Sequence, residues 1–286
     1  MSQPPPTLQE DRRRTLKVDC ARCVGLCCVA LAYVRSADFG YDKPAGEPCV
    51  NLQKDFRCGI HPQLRERGFK GCTAFDCFGA GQKVTQTIFG GRNWRDATQS
   101  REPMFAVFPI VRQLHEMLWY LASARAAPQA APLYDELDRV YATTERMTTG
   151  SAESILAVDV PAHRQAVNAV LGRASEQMRA AARNVGKPAL PKKLRPGADL
   201  IGASLRGMDL SGANLRGALL IAADLRTADL DRADVLGADL RDARVSGADL
   251  STTLFLTQFQ VNAAIGDAAT KLPPWAERPA HWSADA

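Results

Sequence analysis

The fold is decided by the stretch from Pro196 to Phe255, which runs PGADL IGASL RGMDL SGANL RGALL IAADL RTADL DRADV LGADL RDARV SGADL STTLF. It divides into twelve blocks of five residues, each ending on a large apolar residue. The residue two places earlier is alanine in every block except those that contain Met208 and Thr253. Because a period of five matches neither the 3.6-residue period of a helix nor the two-residue period of a strand, neither element alone explains the pattern.

The five-residue period predicts a solenoid with a square cross-section, in which each block forms one side. The large residue of the block fills the interior, the alanine lies where space is tight, and the polar positions face water. Repeats of fixed period stack so that neighbours share one continuous core.

These blocks closely resemble the pentapeptide-repeat family, whose consensus is A-(D/N)-L-x-x. The resemblance implies a right-handed quadrilateral β-helix over residues 196–260, with four blocks in each coil. Three such coils are about 15 Å tall if stacked strands lie about 4.8 Å apart. We expect residues 261–286 to cap the open end, with Phe255 and Phe259 as a plug and a short helix over 261–269, because a solenoid must cover its core and its strand edges.

A second signal lies nearer the N-terminus, where residues 20–77 contain all eight cysteines of the chain. They are Cys20, Cys23, Cys27, Cys28, Cys49, Cys58, Cys72 and Cys77. The first residues lack the apolar segment of a secretory signal peptide, and no window approaches 18 uninterrupted apolar residues. We therefore expect a cytoplasmic protein without a membrane span, in which clustered thiols stay reduced and serve as metal ligands or redox groups.

The first four cysteines have the spacing C-x2-C-x3-C-C. Two cysteines separated by two residues present both sulfurs to one metal from a single turn, as in zinc knuckles and iron–sulfur loops. We expect the side chains of the adjacent Cys27 and Cys28 to diverge, so that they serve two ions or divide into one ligand and one packing residue. His61, three residues after Cys58, is a further candidate ligand, with a surface or supporting position as the alternative.

The same stretch, roughly residues 18–80, resembles a small bacterial family named for its CxxCxxCC signature, whose members are described as zinc- or iron-chelating proteins. The shared parts are the leading cysteine cluster, Cys49 with Leu52, the element from Arg57 to His61, and the closing pair Cys72 and Cys77. The chain departs from the signature because three residues, not two, precede the vicinal pair. The resemblance implies a metal site and leaves the metal open.

Both zinc and iron–sulfur chemistry agree with these thiols. Eight thiolates suffice for two zinc ions with four cysteines each, whereas four suffice for one [4Fe–4S] cluster and leave the rest structural or redox active. We expect residues 16–98 to form a small cysteine-rich metal-binding domain, in which the free energy of metal binding becomes free energy of folding.

The remaining segments complete a predicted multidomain α+β protein. Residues 1–15 are rich in proline and then in charge, which predicts a disordered tail. Apolar residues recur at helical spacing over 101–185, which predicts three helices. Pro109 either kinks the first helix or places its start near Phe108. The second covers 132–147, and the third covers 160–184 with Asp159 as its N-cap. The proline-rich segment 186–195 is a linker or cap.

The predicted function is a metal-binding protein, with a redox- or metal-responsive role as an extension, whose solenoid surface contacts another protein. An iron–sulfur-dependent enzyme of unknown reaction is an alternative, but the four histidines are scattered and no catalytic residue set supports it. Gly79-Ala80-Gly81 resembles a phosphate loop only loosely, and we interpret it as a flexible turn.

A second alternative is a DNA mimic that acts on a type II topoisomerase, as some pentapeptide-repeat proteins are thought to do. Three coils about 15 Å tall span only four to five base pairs at about 3.4 Å each. Six arginines and nine aspartates give residues 196–260 a net charge of −3, which is weak for a DNA surrogate. Both observations argue against a DNA mimic, although a homodimer through the C-terminal cap would double the length. We also expect no nucleic-acid partner.

Overall fold

The structure is a computed structural model that describes residues 11–183 and 189–282. The described residues form eight α-helices: α1 Leu26–Val29, α2 Lys70–Ala74, α3 Ala80–Gln82, α4 Thr98–Arg125, α5 Tyr134–Met147, α6 Ala152–Leu156, α7 Val160–Ala180 and α8 Gln258–Ala263. Short 3-10 segments cover Arg12–Leu16, Cys20–Arg22, His61–Gln63 and Pro128–Leu133, and a π-helical turn covers Lys83–Ile88. The predictions for residues 1–10, 184–188 and 283–286 lie outside the described residues.

The described residues divide into two compact units. The first unit lies within Met1–Ala126 and Leu133–Leu171, and the second lies within Ala127–Pro132 and Gly172–Ala286. The boundary falls inside α7, so this helix contributes residues to both units.

Helix α4 is the longest element of the first unit, and it continues through both Pro103 and Pro109. The predicted start near Phe108 is therefore wrong, because the helix begins at Thr98. Proline removes one helical hydrogen bond. Burial compensates for the loss, since Met104, Phe108 and Val111 around this point are fully buried.

Helix α7 starts where the sequence predicts, whereas α5 starts at Tyr134, two residues after the predicted start at 132. Helix α5 follows the 3-10 segment Pro128–Leu133 and ends at Met147. Helix α7 begins at Val160, and the backbone N–H of Ala162 donates to the Asp159 carboxylate at 2.9 Å, which confirms the predicted cap.

Residues 196–255, which we call the repeat stack, form a regular series of turns in the second unit. Isolated parallel bridges join residues that are twenty apart, such as Asp199 with Leu219 and Ser204 with Asp224. Twenty residues equal four blocks, so each block lies beside the block four places later. The backbone N–H of Leu200 donates to the Leu219 carbonyl at 2.9 Å, and equivalent bonds recur along the stack.

The predicted right-handed quadrilateral β-helix is wrong, and the α+β class fails with it. Within residues 11–183 and 189–282 there is no β-strand and no sheet, because every bridge is isolated. The five-residue block explains the difference. Two residues of each block form a turn and one makes the bridge, so no run of consecutive residues pairs along a neighbour as a strand requires.

The interior positions of the blocks are buried, as predicted. Every block-ending residue from Leu200 to Phe255 is at most 4% exposed, and most of the alanines two places earlier are equally buried. Ala203 and Met208 are only partly buried. The hydrophobic period therefore determines burial even though it does not produce strands.

The C-terminal segment covers the end of the repeat stack. Helix α8 lies at Gln258–Ala263, earlier than the predicted 261–269. The buried Gln260 amide donates to the carbonyls of Val235 and Ala238 at 2.8 and 3.0 Å, which satisfies acceptors at the end of the stack. Phe255 is buried as expected, whereas Phe259 is only half-buried.

Within the second unit, the last turns of α7 pack against the repeat stack. The Ser175 hydroxyl donates to the buried Asp234 carboxylate, and the Arg179 and Arg183 guanidinium groups donate to the carbonyls of Gly212 and Ser211 at 3.3 and 3.1 Å. This part of the stack surface is thus covered by the chain itself.

Candidate metal centre

All eight cysteines line a cavity of about 590 Å³ in the first unit. None of them forms a disulfide. The rest of the lining is largely apolar and includes Leu31, Phe56, Phe75 and Phe108. The structure therefore brings every cysteine singled out in the sequence to one place.

The segment around Cys23 is fixed to the segment after Cys77. The backbone N–H of Asp19 donates to the Gln82 side chain at 3.0 Å, and that of Val24 donates to the Thr85 hydroxyl at 3.3 Å. These contacts join residues more than sixty positions apart. They place the two cysteine loops on one side of the cavity.

The two loops share one local design. Gly25 follows Cys23 and Gly79 follows Cys77, each two residues later with a positive φ of 70° and 75°. Such a turn aims backbone N–H groups at the sulfur: those of Gly25 and Leu26 donate to Cys23. The N–H groups of Gly79 and Gly81 donate to Cys77 in the same way. Donors of this kind stabilise the thiolate that a metal requires.

Gly81 forms a cradle between these loops. A Cβ atom at this position would lie 2.7 Å from the Cys23 sulfur and 3.8 Å from the Cys77 sulfur. Only glycine leaves this approach open. The interpretation of Gly79-Ala80-Gly81 as a flexible turn is thus incomplete, because Gly81 belongs to α3 and contacts the site.

Cys27 and Cys28 lie in α1, with their sulfurs 3.9 Å apart. The expected divergence of these side chains is therefore wrong. A hydrogen bond between the two thiols raises the pKa of Cys27, together with burial, and lowers the pKa of Cys28. Cys28 is thus the member of the pair that ionises first.

Lys43 places a buried positive charge beside this part of the cavity. The side chain is 3% exposed, and its ammonium donates to the carbonyls of Val29, Pro44 and Glu47 at 3.3, 3.0 and 2.9 Å. Burial lowers the pKa of Lys43, whereas the ionised Cys49 and Cys28 oppose that shift. A buried cation at this position favours negative charge in the cavity.

An aromatic cluster surrounds Cys49. The hydroxyls of Tyr33 and Tyr41 donate to the Cys49 sulfur at 3.5 and 3.2 Å. The Phe39 ring stacks on Tyr33 with centroids 4.4 Å apart, and the Phe69 ring packs edge-on against both tyrosines. Burial raises the pKa of both tyrosines, so they remain neutral hydrogen-bond donors.

Cys58 and Cys72 complete the lining. Cys58 forms an isolated antiparallel bridge with Leu52. Burial raises the pKa of Cys72 to about 12, with smaller contributions from ionised Cys28, Cys49 and Cys58. His61 also lines the cavity, but it is exposed in its 3-10 segment, as in the alternative that places it at the surface.

The donor set fits a thiolate-bound group, but not a single preformed zinc site. Among the described residues, no three histidine, cysteine or acidic side chains converge closely enough to bind one metal ion. Tetrahedral zinc with bonds of about 2.3 Å would need sulfurs about 3.8 Å apart. The Cys27 and Cys28 sulfurs are 3.9 Å apart, but no third ligand within the described ranges joins them. An iron–sulfur cluster places several irons and sulfides between its ligands, and a large cavity lined by thiols offers space for them.

Several residues of the site were not predicted from the sequence. Tyr33 and Tyr41 contact Cys49. Lys43 lies close enough to Cys49 and Cys28 to interact with them electrostatically. These positions result from packing between segments, which residue spacing does not reveal. A glycine two residues after a cysteine, as at Gly25 and Gly79, is a signal that could have identified the N–H donors to the sulfurs.

The second unit matches a known repeat. Residues 197–229 and 218–255 match the family described as pentapeptide repeats, in eight copies. This finding confirms the resemblance of residues 196–260, and such repeats are typical of protein-interaction modules.

The chain is also 57% identical to the uncharacterized protein YybG of Bacillus subtilis (strain 168). The alignment extends over 276 residues, which are 96% of this chain and 98% of that protein. The chain belongs to the YybG family. Because the match covers nearly the full length, both the cysteine-rich unit and the repeat unit belong to the architecture of the YybG family.

No helix in the described part of the chain is both long and apolar enough to cross a membrane.

Proposed function

We propose that this member of the YybG family is a metal-binding protein whose cysteine cavity binds iron–sulfur clusters. The observation that supports the proposal is the lining of one cavity of about 590 Å³ by eight thiols. No three of them, within the described residues, are spaced for one mononuclear ion. The resemblance of residues 18–80 to the CxxCxxCC family supports metal binding in general.

The surroundings of the cavity also suit an anionic thiolate-bound group. Backbone N–H groups donate to Cys23 and Cys77, tyrosine hydroxyls donate to Cys49, and Lys43 adds a buried positive charge. Hydrogen bonds and charges of this kind tune a cluster's reduction potential. An iron–sulfur cluster, when bound, supplies one-electron chemistry, which makes the site a candidate redox sensor in a reducing compartment such as the cytoplasm.

The repeat stack supplies the second half of the proposal, a surface for a protein partner. The last turns of α7 already cover part of the stack. The partner surface is therefore sought on the remaining faces, where Ile201 and Leu219 are exposed. A redox- or metal-responsive scaffold would combine the two units.

Metal analysis of the full chain tests the proposal. The protein is purified without oxygen, and iron, acid-labile sulfide and zinc are measured per chain together with the visible absorption spectrum. We expect a brown protein with on the order of four irons and four sulfides for each cluster. The variant His61→Gln is a matched control at the rim of the cavity and should keep the full iron content.

Two results would contradict the proposal. A colourless protein with stoichiometric zinc would exclude clusters while keeping metal binding. A chain that binds neither iron nor zinc would exclude both. In the same preparation, inhibition of DNA supercoiling would instead favour the DNA-mimic alternative.

A further inference from the structure

We propose that the cavity contains two separate four-cysteine centres, one formed by Cys20, Cys23, Cys27 and Cys77 and the other by Cys28, Cys49, Cys58 and Cys72. The inference rests on the proposed metal binding. It goes further by assigning each thiol to a centre, so that each centre has the four cysteine ligands of one cluster.

The first set surrounds Gly81. The sulfurs of Cys23 and Cys77 both lie against the Cβ position of this glycine. Cys77 is buried in one hydrophobic cluster of the first unit, and both Cys23 and Cys27 pack against that cluster. Cys20 lies one turn before Cys23, whose backbone N–H donates to the Cys20 carbonyl at 3.4 Å.

The second set is connected through Cys49. The backbone N–H of Cys49 donates to the Cys28 carbonyl at 2.8 Å, and that of Leu52 donates to the Cys49 carbonyl at 3.0 Å. Leu52 in turn bridges to Cys58. These backbone contacts place Cys28, Cys49 and Cys58 in one local group.

Cys72 joins this group through the aromatic cluster. Its backbone N–H donates to the Phe69 carbonyl at 3.0 Å. The Phe69 ring packs on Tyr33 and Tyr41, whose hydroxyls contact the Cys49 sulfur.

The vicinal pair lies on the border between the two sets. Cys27 and Cys28 follow each other in α1, with their sulfurs 3.9 Å apart. Adjacent residues that serve different centres would place those centres side by side in the cavity. With Cys27 in the first set and Cys28 in the second, each set contains four thiols.

The two centres would differ in their immediate surroundings. Backbone N–H groups and the Thr85 hydroxyl face the first set at Cys23. Tyrosine hydroxyls face the second set at Cys49, and the buried Lys43 lies beside its members Cys28 and Cys49. Different hydrogen bonds and charges give two centres distinguishable spectra or reduction potentials.

Metal stoichiometry in paired variants of the full chain tests the division. Cys23→Ser and Cys72→Ser should each lose about half of the bound metal. The double variant Cys23→Ser/Cys77→Ser should lose no more than Cys23→Ser alone, whereas Cys23→Ser/Cys72→Ser should lose nearly all. If either single variant loses all of the metal while its circular dichroism stays that of the wild type, the two-centre inference is overturned.

Two milder variants cover the case in which a serine variant fails to fold. Tyr41→Phe removes one hydroxyl from the second set, and Thr85→Val removes one from the first. In the iron-loaded protein, chemically reduced so that the clusters are paramagnetic, they should shift different signals in electron paramagnetic resonance, and a shift of the same signal by both would overturn the division. A wild-type chain without metal would instead contradict the proposed function, so the two failures are distinguishable.

Discussion

At the scale of single residues, His115 shows how burial sets the charge of a side chain. It is 5% exposed within α4, and its Nδ1 lies 2.7 Å from the Phe78 carbonyl oxygen. Because a carbonyl only accepts, Nδ1 must bear the proton and donate. Burial lowers the pKa of His115 from 6.5 to about 4, so the folded protein keeps the ring neutral.

This shift predicts a loss of stability in acid. Between pH 6.5 and 4 the unfolded chain binds a proton that the folded chain does not, so the free energy of unfolding falls as the pH falls through this window. The contribution is about 3 kcal/mol in full. His115→Gln keeps a donor for Phe78 and removes the titration, so it should show a smaller loss.

Urea unfolding of both chains at pH 7 and pH 4.5 measures the effect. The pH dependence of metal binding is common to wild type and variant, and it cancels in their difference. Identical losses in the two chains would show that His115 does not supply the expected linkage.

The site residues themselves divide into those that a sequence reveals and those that it does not. Clustered cysteines that stay reduced have few roles other than metal ligands or redox groups. The residue type and the spacing alone therefore predicted all eight candidate ligands. Lys43 and Tyr41 have no such signal. Their positions depend on packing between segments, which brings Lys43 to three carbonyls and the Tyr41 hydroxyl to Cys49.

At the scale of elements, glycine stabilises a turn with a positive φ but destabilises the interior of a helix. Gly217 lies in a turn of the repeat stack with a φ of 63°, and Gly172 lies in α7. At both positions no neighbouring atom lies within 4 Å of the place that a Cβ atom would occupy. Both are in the second unit. They differ in backbone conformation, which is left-handed at Gly217 and helical at Gly172, so the two substitutions can be compared.

We expect Gly217→Ala to lower the free energy of unfolding of the second unit by about 1 kcal/mol, because a Cβ atom disfavours the left-handed region. Gly172→Ala should raise it by about 1 kcal/mol, because alanine favours the helix. Urea unfolding followed by circular dichroism measures both changes. If Gly217→Ala stabilises the chain as much as Gly172→Ala does, the turn conformation is not the constraint that we infer.

The repeat stack also shows what a period can and cannot predict for an element. Leu200, Leu205 and their equivalents recur every five residues, which predicts that each block places one large residue in the interior of the stack. These residues are buried. Strand formation is a different property, since it needs consecutive residues to pair. Each block offers only a single bridging residue, such as Asp209 opposite Asp229. The burial of the block-ending residues could be predicted from the sequence. The lack of strand pairing could not, because it depends on how many residues of each block form the turn.

At the scale of the whole molecule, the two units obtain their stability from different sources. The repeat stack buries a continuous apolar core of leucine, valine and alanine. The first unit combines the apolar surroundings of α4 with a large cavity lined by thiols. If the proposed metal is bound there, its binding free energy stabilises the first unit and leaves the second unit unaffected.

Removal of the metal from the full chain should therefore affect the units unequally. Thiolate-bound structural metals contribute apparent free energies of about 10–16 kcal/mol in small domains, so chelation should cost the first unit several kcal/mol. Hydrogen exchange followed by mass spectrometry resolves the change by segment. Amides such as those of Cys49 and Leu52 should lose protection after chelation, whereas Leu200, Leu205 and Leu210 in the repeat stack should keep theirs.

The matched control is the same chelation applied to the variant Cys23→Ser/Cys72→Ser, which by the two-centre inference has already lost nearly all of its metal. Its exchange pattern should not change further. Loss of protection throughout the repeat stack would mean that the two units unfold as one cooperative body, and unchanged protection at Cys49 would mean that the metal is not structural. A bound ligand stabilises only the folded unit that binds it. Loss of protection around the cysteines alone would therefore mean that the first unit depends on the metal for its stability and that the second unit does not.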